Sequence, residues 1–366
     1  MATKNSTITQ GQLTFFIFQT QIGVGLLSLP FAVAKIAHGD GWISTLLIGF
    51  FIQLCIFLIW ALNRRFPTLS LYEFMPQIIG KPVAFFFTLL YSLYFIGIGG
   101  VVLLLFSNII NNWVFDVTPR WALILLMVSA GIYLARENIR IIARFHVFIS
   151  FFAFILIFLA CMAYAHIDIR YILPIGHSGA LNIIKASSEA LLSMLGFEAL
   201  LVIFPYVENN EKGVLKAMSI ANLIATSLST FLVFTCLIVF SPQEILVIPQ
   251  PMLYMLKSFT FTVIERLDLF FLSIWITFAV TSFVSYLYLA SKGLGYAFHK
   301  NRHKNAVWYA AIACGFIALY PDSQLAINRL AFFITRTSFA FFAAIPLTLL
   351  LLSYVLRKKE RKDTAS

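Results

Sequence analysis

Gln21-Ile22-Gly23-Val24-Gly25-Leu26-Leu27-Ser28-Leu29-Pro30 sits inside the first long apolar stretch of this chain. Leu195-Gly196-Phe197-Glu198-Ala199, followed by Phe204-Pro205, sits inside another. Both stretches are long enough to cross a bilayer, and both are broken by glycine and followed by proline. Backbone that leaves the helix at membrane depth loses its hydrogen-bond partners, and lipid supplies none. It is tolerated only where it is buried in protein or lines a cavity. Matching interruptions in two halves of a membrane protein point to a small-molecule site near the midplane.

The bulk composition agrees. Of 366 residues 61% are hydrophobic and 11% charged, whereas a soluble domain carries about 25% charged residues. The mean hydropathy is +0.91. An all-α integral membrane protein follows. Met1 to Gln12 is polar with one cation, Lys4, and has no signal-peptide pattern. The cysteines Cys55, Cys161, Cys236 and Cys314 lie in different apolar segments with no C-x-x-C, so neither a disulfide framework nor a zinc site is indicated. No cofactor is called for.

A membrane helix takes about 20 mostly apolar residues. The sequence predicts ten: 12–34, 42–63, 83–111, 120–135, 145–165, 182–206, 217–240, 267–291, 305–320 and 333–356. Met252 to Ile264 reads as an interfacial helix. The net charge of +11 falls in short loops, which makes it a topology signal and not a nucleic-acid footprint. With the N-terminus inside, 18 of the 26 Lys and Arg lie on that side and 8 on the other, which places both termini in the cytoplasm. Five spans per half force opposite orientations, so the chain is expected to be one membrane domain over 1–366. Its inverted repeats run over about 12–165 and 182–356, with a basic tail at 357–366.

At the first break, amide groups freed around Gly23, Val24 and Gly25 form a positive concavity that suits a carboxylate. Helix packing through small residues is the other reading of the same glycines. At the second break, carbonyls near Gly196 and Phe197 are candidate acceptors for an ammonium or hydroxyl, with Phe197 as a cover. Glu198 is a carboxylate in an apolar run, a residue kind that is usually functional. Two roles stand side by side for it: meeting ligand ammonium or holding a proton, or bracing the broken helix through a neighbour's backbone. Glu189 is expected to face water or to pair with Lys185 one turn away.

Further motifs accumulate around the breaks: Asp40-Gly41-Trp42-Ile43, Phe66-Pro67-Thr68-Leu69-Ser70-Leu71-Tyr72-Glu73, Ile264-Glu265-Arg266-Leu267-Asp268, Ile274-Trp275-Ile276, Ala290-Ser291-Lys292-Gly293-Leu294 and Tyr320-Pro321-Asp322. Together they resemble the B subunits of spore germinant receptors, the GerAB type, within the amino acid–polyamine–organocation transporter superfamily. The resemblance covers nearly the whole chain. It implies a LeuT-like fold with helices 1 and 6 broken, and a place in the spore inner membrane or cell membrane. It also implies a germinant receptor A subunit and a C lipoprotein subunit as partners, and the sensing of a small nutrient such as an amino acid or sugar. The same fold would add Tyr91, Tyr94 and Gly97 of span three and Thr277, Thr281 and Ser282 of span eight to the pocket wall. Some relatives carry a coupling lysine in span five. Here that span has none, and Arg144 and His146 lie at its cytoplasmic end.

Three signals are set aside. Gly176-His177-Ser178-Gly179 echoes intramembrane serine proteases, but its serine lies in a loop and no later span supplies a histidine. His299 and His303 fall in a basic loop. Arg357 to Lys362 reads as a contact for anionic membrane lipid or a topology signal. A nutrient-binding receptor subunit is the leading expectation, with an amino acid permease and a membrane scaffold as alternatives. No nucleophile–base or metal constellation lies in a span, so an enzyme is not expected.

Overall fold

In lipid every backbone amide and carbonyl must be satisfied within the protein, and a helix does so inside one segment. The apolar runs accordingly form helices in the computed structural model, which describes residues 7–208, 211–259, 266–298 and 302–360. In chain order these are α1 (Gln10–Gln21), α2 (Leu29–Ala37), α3 (Gly41–Asn63), α4 (Leu71–Ile79), α5 (Lys81–Trp113), α6 (Arg120–Ala135), α7 (Ile139–Ser150), α8 (Phe152–Cys161), α9 (Ala180–Ala190), α10 (Leu200–Ile203), α11 (Glu211–Val239), α12 (Pro251–Lys257), α13 (Leu267–Phe298), α14 (His303–Leu319), α15 (Gln324–Phe339) and α16 (Ile345–Val355).

Among the described residues, six helical stretches are long and apolar enough to cross a membrane: Leu29–Asn63, Lys81–Trp113, Ile139–Tyr164, Lys212–Val239, Leu267–Phe298 and Gln324–Val355. The pair Ala180–Met194 and Phe197–Tyr206 adds a seventh, bent by 54° at its break. The ten expected segments overlap helices, of which six stretches and one bent pair are long and apolar enough to span. The first, fourth and ninth miss the length criterion because α1 stops at the break and α6 and α14 are short. The interfacial helix is shorter than expected, Pro251–Lys257, and 260–265 lie outside the described residues.

Burial ranks the helices. The apolar window of α5 is 78% buried and that of Gln324–Val355 is 28% buried, so α5 is central and α15–α16 peripheral. The 33 residues of α5 measure about 50 Å at 1.5 Å per residue, which exceeds a hydrocarbon core of about 30 Å. It packs along α13, and α1 packs against α7, α11 and α13.

Two local signals explain features beyond the spans. Ser70 and Glu73 form a capping box that starts α4. Pro346 has no N–H to return to the preceding turn, and a π-turn over Ala340–Ala344 opens upstream of it.

Both ends of the molecule are tied. On the N-terminal side Ile8 pairs with the strand-like end of the sixth segment: its amide donates to Tyr206 C=O at 2.8 Å and its carbonyl accepts from Glu208 N–H at 2.9 Å. Arg140 Nε donates to Thr7 C=O at 2.8 Å. On the opposite side the fully buried Asp40 carboxylate accepts from Gly176 N–H at 2.7 Å and Ser178 N–H at 3.0 Å, with His177 Nδ1 at 3.4 Å. Gly176-His177-Ser178-Gly179 is therefore a clamped loop. Removing the carboxylate in Asp40→Ala strands two amides and is expected to cost about 2–3 kcal/mol. The readouts are a lower melting temperature and faster protease cleavage near 173–179. Unchanged cleavage would remove Asp40 as the clamp.

Candidate functional site

The first break begins where α1 ends. Ile22 N–H still donates to Phe18 C=O at 2.9 Å, and the next turn is a 3₁₀ turn whose first bond is Leu26 N–H to Gly23 C=O at 3.4 Å. The amides of Gly23, Val24 and Gly25 precede that bond and stay outside the turn's own hydrogen bonding. The second break runs from Leu195 to Gly196, with a 3₁₀ turn over Phe197–Ala199.

Each break caps the other. Ser193 Oγ donates to Gly25 C=O at 3.1 Å, and Gln21 Nε2 donates to Met194 C=O at 3.3 Å. Ser282 Oγ from α13 donates to Thr20 C=O at 3.2 Å. The Thr20 and Met194 carbonyls thereby find partners that lipid would not give, and Gly25 C=O gains a partner beside the Ser28 amide at 3.2 Å. The contact demands glycine at two places. Gly196 has φ +133°, and a Cβ there would sit 2.6 Å from Thr20 C and 2.7 Å from Gln21 N. A Cβ on Gly25 would meet Ser193 Oγ and lie 2.8 Å from Ser193 Cα.

Between the breaks lies a cavity of about 20 Å³, lined by Gln21, Gly23, Val24, Gly25, Ser193, Ser282 and Tyr286 among others. That volume accommodates about one water molecule. The breaks are therefore closed on each other.

Of the residues expected at the site, Gly23, Val24, Gly25 and Ser282 line this cavity. Gly196, Phe197 and Glu198 lie behind it. Phe197 is fully buried, edge-on to Phe342 with centroids 5.1 Å apart. Tyr91 and Tyr94 are buried and face the π-turn: Tyr91 Oη donates to Phe341 C=O at 2.8 Å, and Tyr94 stacks on Phe341 at 4.3 Å. Gly97 is a packing contact, since a Cβ would come within 2.8 Å of Ile334 Cδ1. Thr277 is half-buried and bonds its own helix at Ile274 C=O, 2.6 Å away. The Thr281 hydroxyl lies 2.8 Å from Phe278 C=O of its own helix and 2.9 Å from Gln19 Oε1 of α1.

Glu198 is fully buried. One carboxylate oxygen accepts from Gly196 N–H at 2.8 Å and the other from Tyr94 Oη at 3.3 Å. The Tyr286 hydroxyl lies against the same group. In this conformation the side chain braces the break through its neighbour's amide and fastens it to α5.

A second buried polar cluster joins α1, α7 and α13. His146 Nε2 lies 2.9 Å from Ser285 Oγ and 3.2 Å from Thr281 C=O, while Nδ1 lies 2.8 Å from Ile142 C=O. Thr20 Oγ1 reaches Ser285 Oγ at 2.8 Å, and Gln19 Nε2 donates to Ser150 Oγ at 3.1 Å. His146 thus sits at the junction of the first, fifth and eighth segments, beyond what the sequence reading assigned to it. Phe341, Phe342, Ser193 and Gln21 were missed as well. Gln21 carried a signal, being a polar side chain just before the glycines. Among the described residues no group of three or more His, Cys, Asp or Glu could hold a metal ion.

The spore germination protein family matches residues 7–326. The chain belongs to that family. Its relatives include spore germination protein YndE of Bacillus subtilis (strain 168), 24% identical over 99% of this chain and 100% of that one. Spore germination protein A2 of the same organism is 26% identical over 84% of each chain. GerQB of Bacillus cereus is 26% identical over 76% of this family member and 77% of its own length. Among solved structures, MhsT in complex with L-phenylalanine superposes with a TM-score of 0.69 at 14% identity, over 95% of this chain and 89% of that one. A Na⁺-coupled sialic acid symporter gives 0.69 at 13% identity, over 94% and 79%. The spore germination protein described here therefore has the LeuT-like transporter fold and is an integral membrane protein.

Proposed function

We propose that this spore germination protein is the membrane-embedded B-type subunit of a germinant receptor, sited in the spore inner membrane with both termini in the cytoplasm. It binds a small nutrient between the two breaks. The A subunit and the C lipoprotein subunit read the resulting change of shape, and the chain itself performs no catalysis. The halves 12–165 and 182–356 act as inverted repeats that rock about the site.

One observation carries this reading: two helix interruptions, in separate halves, held together by reciprocal side-chain caps and by glycines that no other residue can replace without moving backbone. Such contacts are broken cheaply, because each cap can exchange a carbonyl for a polar group of a ligand. A cavity of about 20 Å³ has no room for an amino acid. Binding then requires Gly25 and Ser193 to part, and a ligand shifts an equilibrium only by preferring one state. This coupling of occupancy to shape is what a sensor needs.

Gly25→Val is the test. Spores carrying it are expected to lose the nutrient response while the protein stays in the membrane at normal abundance. A normal response would remove the breaks as the site. Uptake of labelled amino acid into vesicles by the chain alone would make it a permease instead.

A further inference from the structure

A separate cavity, about 570 Å³, opens on the flank of the helix bundle between α1, α7–α8 and α11. Phe151, Phe154 and Leu223 stand exposed along it. Of its thirteen lining residues two, Ser150 and Ser227, carry a polar side chain. Ser150 Oγ is already engaged, donating to His146 C=O at 2.7 Å and accepting from Gln19 Nε2 at 3.1 Å. The groove is therefore a surface for hydrocarbon. Its walls run from Val147 to Ile157 on α7–α8 and from Leu223 to Phe231 on α11, about 15 Å and about 12 Å at 1.5 Å per residue. That is about half of a hydrocarbon core of about 30 Å, the depth of one leaflet.

Charge stands at one end of this groove. The three walls run the same way. Arg140 meets Thr7 and Ser150 meets Gln19, so α7 follows α1. A Cβ on Gly213 would meet Gln10, and Thr14 Oγ1 reaches Ala217 C=O at 3.2 Å, so α11 follows it too. Counting back six residues from the Gln19–Ser150 bond and one from the Thr14–Ala217 bond puts Leu13, Arg144 and Lys216 at one height. Arg144 shares a helix face with Val147, Phe151 and Phe154, at i+3, i+7 and i+10. Lys216 shares one with Leu223 and Ser227, at i+7 and i+11. One cation therefore stands at the foot of each of these two walls. Both are exposed, and neither has a hydrogen bond or ion pair among the described residues. Arg140, one turn earlier, is held by Thr7. Across α1, α7, α8 and α11 there are four cations and one carboxylate, Glu211, so the foot of the groove is electropositive.

We propose that this groove is a binding site for an anionic membrane phospholipid. Its phosphate sits between Arg144 and Lys216, and one of its acyl chains lies in the cleft. A guanidinium takes a phosphate through parallel hydrogen bonds, and an ammonium adds a point charge. Basic residues between helices at the membrane surface hold such headgroups. The acyl chain packs on Phe15 and Phe18 of α1, and α1 is the half-helix that ends at the first break. The lipid therefore favours the arrangement in which α1 rests on α7 and α11, and with it the closed state of the breaks.

The test is native mass spectrometry of the purified full-length protein, offered equimolar phosphatidylglycerol and phosphatidylcholine. Phosphatidylglycerol is expected to be retained in preference and to raise the melting temperature. Glycerol 3-phosphate, a headgroup without chains, is expected not to raise it. Arg144→Gln with Lys216→Gln is expected to weaken phosphatidylglycerol by about tenfold or more, the loss of its charge-assisted contacts, and to leave phosphatidylcholine unchanged. Ser227→Trp fills the cleft from an exposed position and is expected to weaken phosphatidylglycerol as much. Arg302→Gln with Lys304→Gln removes two exposed cations at the start of α14, which packs on α5, α6 and α13; it should change nothing. Equal retention of the two lipids, stabilisation by glycerol 3-phosphate alone, a groove variant that retains phosphatidylglycerol like the parent, or the same loss in the α14 variant would overturn the site. Photo-reactive benzoylphenylalanine in place of Ser227 identifies the occupant in spore membranes. A phospholipid adduct is expected; a crosslink to another protein chain would make the groove a helix-docking face and overturn the proposal.

Discussion

Spores carrying Gly196→Ala are expected not to respond to nutrient, and the purified variant is expected to be less stable by about 3 kcal/mol or more. Two costs act together. The residue sits at φ +133°, which a side chain resists. The added Cβ would also stand 2.6 Å from the Thr20 carbonyl carbon and 2.7 Å from the Gln21 nitrogen. Those are backbone atoms, so no rotamer change relieves the clash; one broken segment must back away from the other. The retreat would stretch the Gln21 to Met194 and Ser193 to Gly25 hydrogen bonds that close the site. Melting in detergent reads the stability, and germination of variant spores reads the response. Gly315→Ala is the matched control, because nothing lies within 4 Å of a Cβ added there. It should melt at or slightly above the parent temperature, as Ala for Gly in a helix favours folding by up to about 1 kcal/mol. A Gly196→Ala protein that melts like Gly315→Ala would show that the close approach of the breaks does not hold the structure.

The second large effect concerns Glu198. In Glu198→Ala the Gly196 amide and the Tyr94 hydroxyl, both buried, lose their acceptor. Each orphaned group costs about 1–3 kcal/mol, so the variant should fall by about 2–6 kcal/mol. Glu198→Gln is expected to behave differently. Its amide oxygen can still accept from Gly196, and its NH₂ can donate to the Tyr94 oxygen if the phenol turns. That variant should keep most of the parent stability. It should also keep a measurable nutrient response, because the role visible here is that of a brace. A stable Glu198→Gln protein with no response at all would show that the charge or the proton of this group, and not its geometry, is what signalling requires.

The fold was largely readable before any coordinates, because lipid leaves so few options. The long apolar runs became helix, and the excessive length of the third was plain from the 34 uncharged residues from Pro82 to Phe115. The breaks were readable for the same reason: glycine followed by proline in an apolar run has few uses other than interrupting it. What the breaks meet was less visible. A serine or threonine in an apolar helix looks the same whether it bonds its own preceding turn or another helix. Thr88 and Ser92 do the former, at 2.8 Å each. Ser285 does both, and its second bond builds the His146 junction. No local pattern separates these cases. The role of α15–α16 was hidden similarly. Phe341 and Phe342 read as two more aromatics in a lipid-facing span, and only the π-turn ahead of Pro346 aims them at Tyr91, Tyr94 and Phe197. The capping box at Ser70 and Glu73 was legible by spacing alone. The lipid groove was not, since its walls come from α1, α7–α8 and α11 and meet only in the folded protein.

A single structure determination bears hardest on this reading: the protein saturated with whichever amino acid or sugar raises its melting temperature most. The expected result is that compound lodged between Gly23–Gly25 and the Gly196 turn, with Gly25 and Ser193 moved apart and the carbonyls of Gly25 and Met194 released from their caps. The contrary result would be the first and sixth segments unchanged or continuous, still in contact, with the compound bound somewhere else.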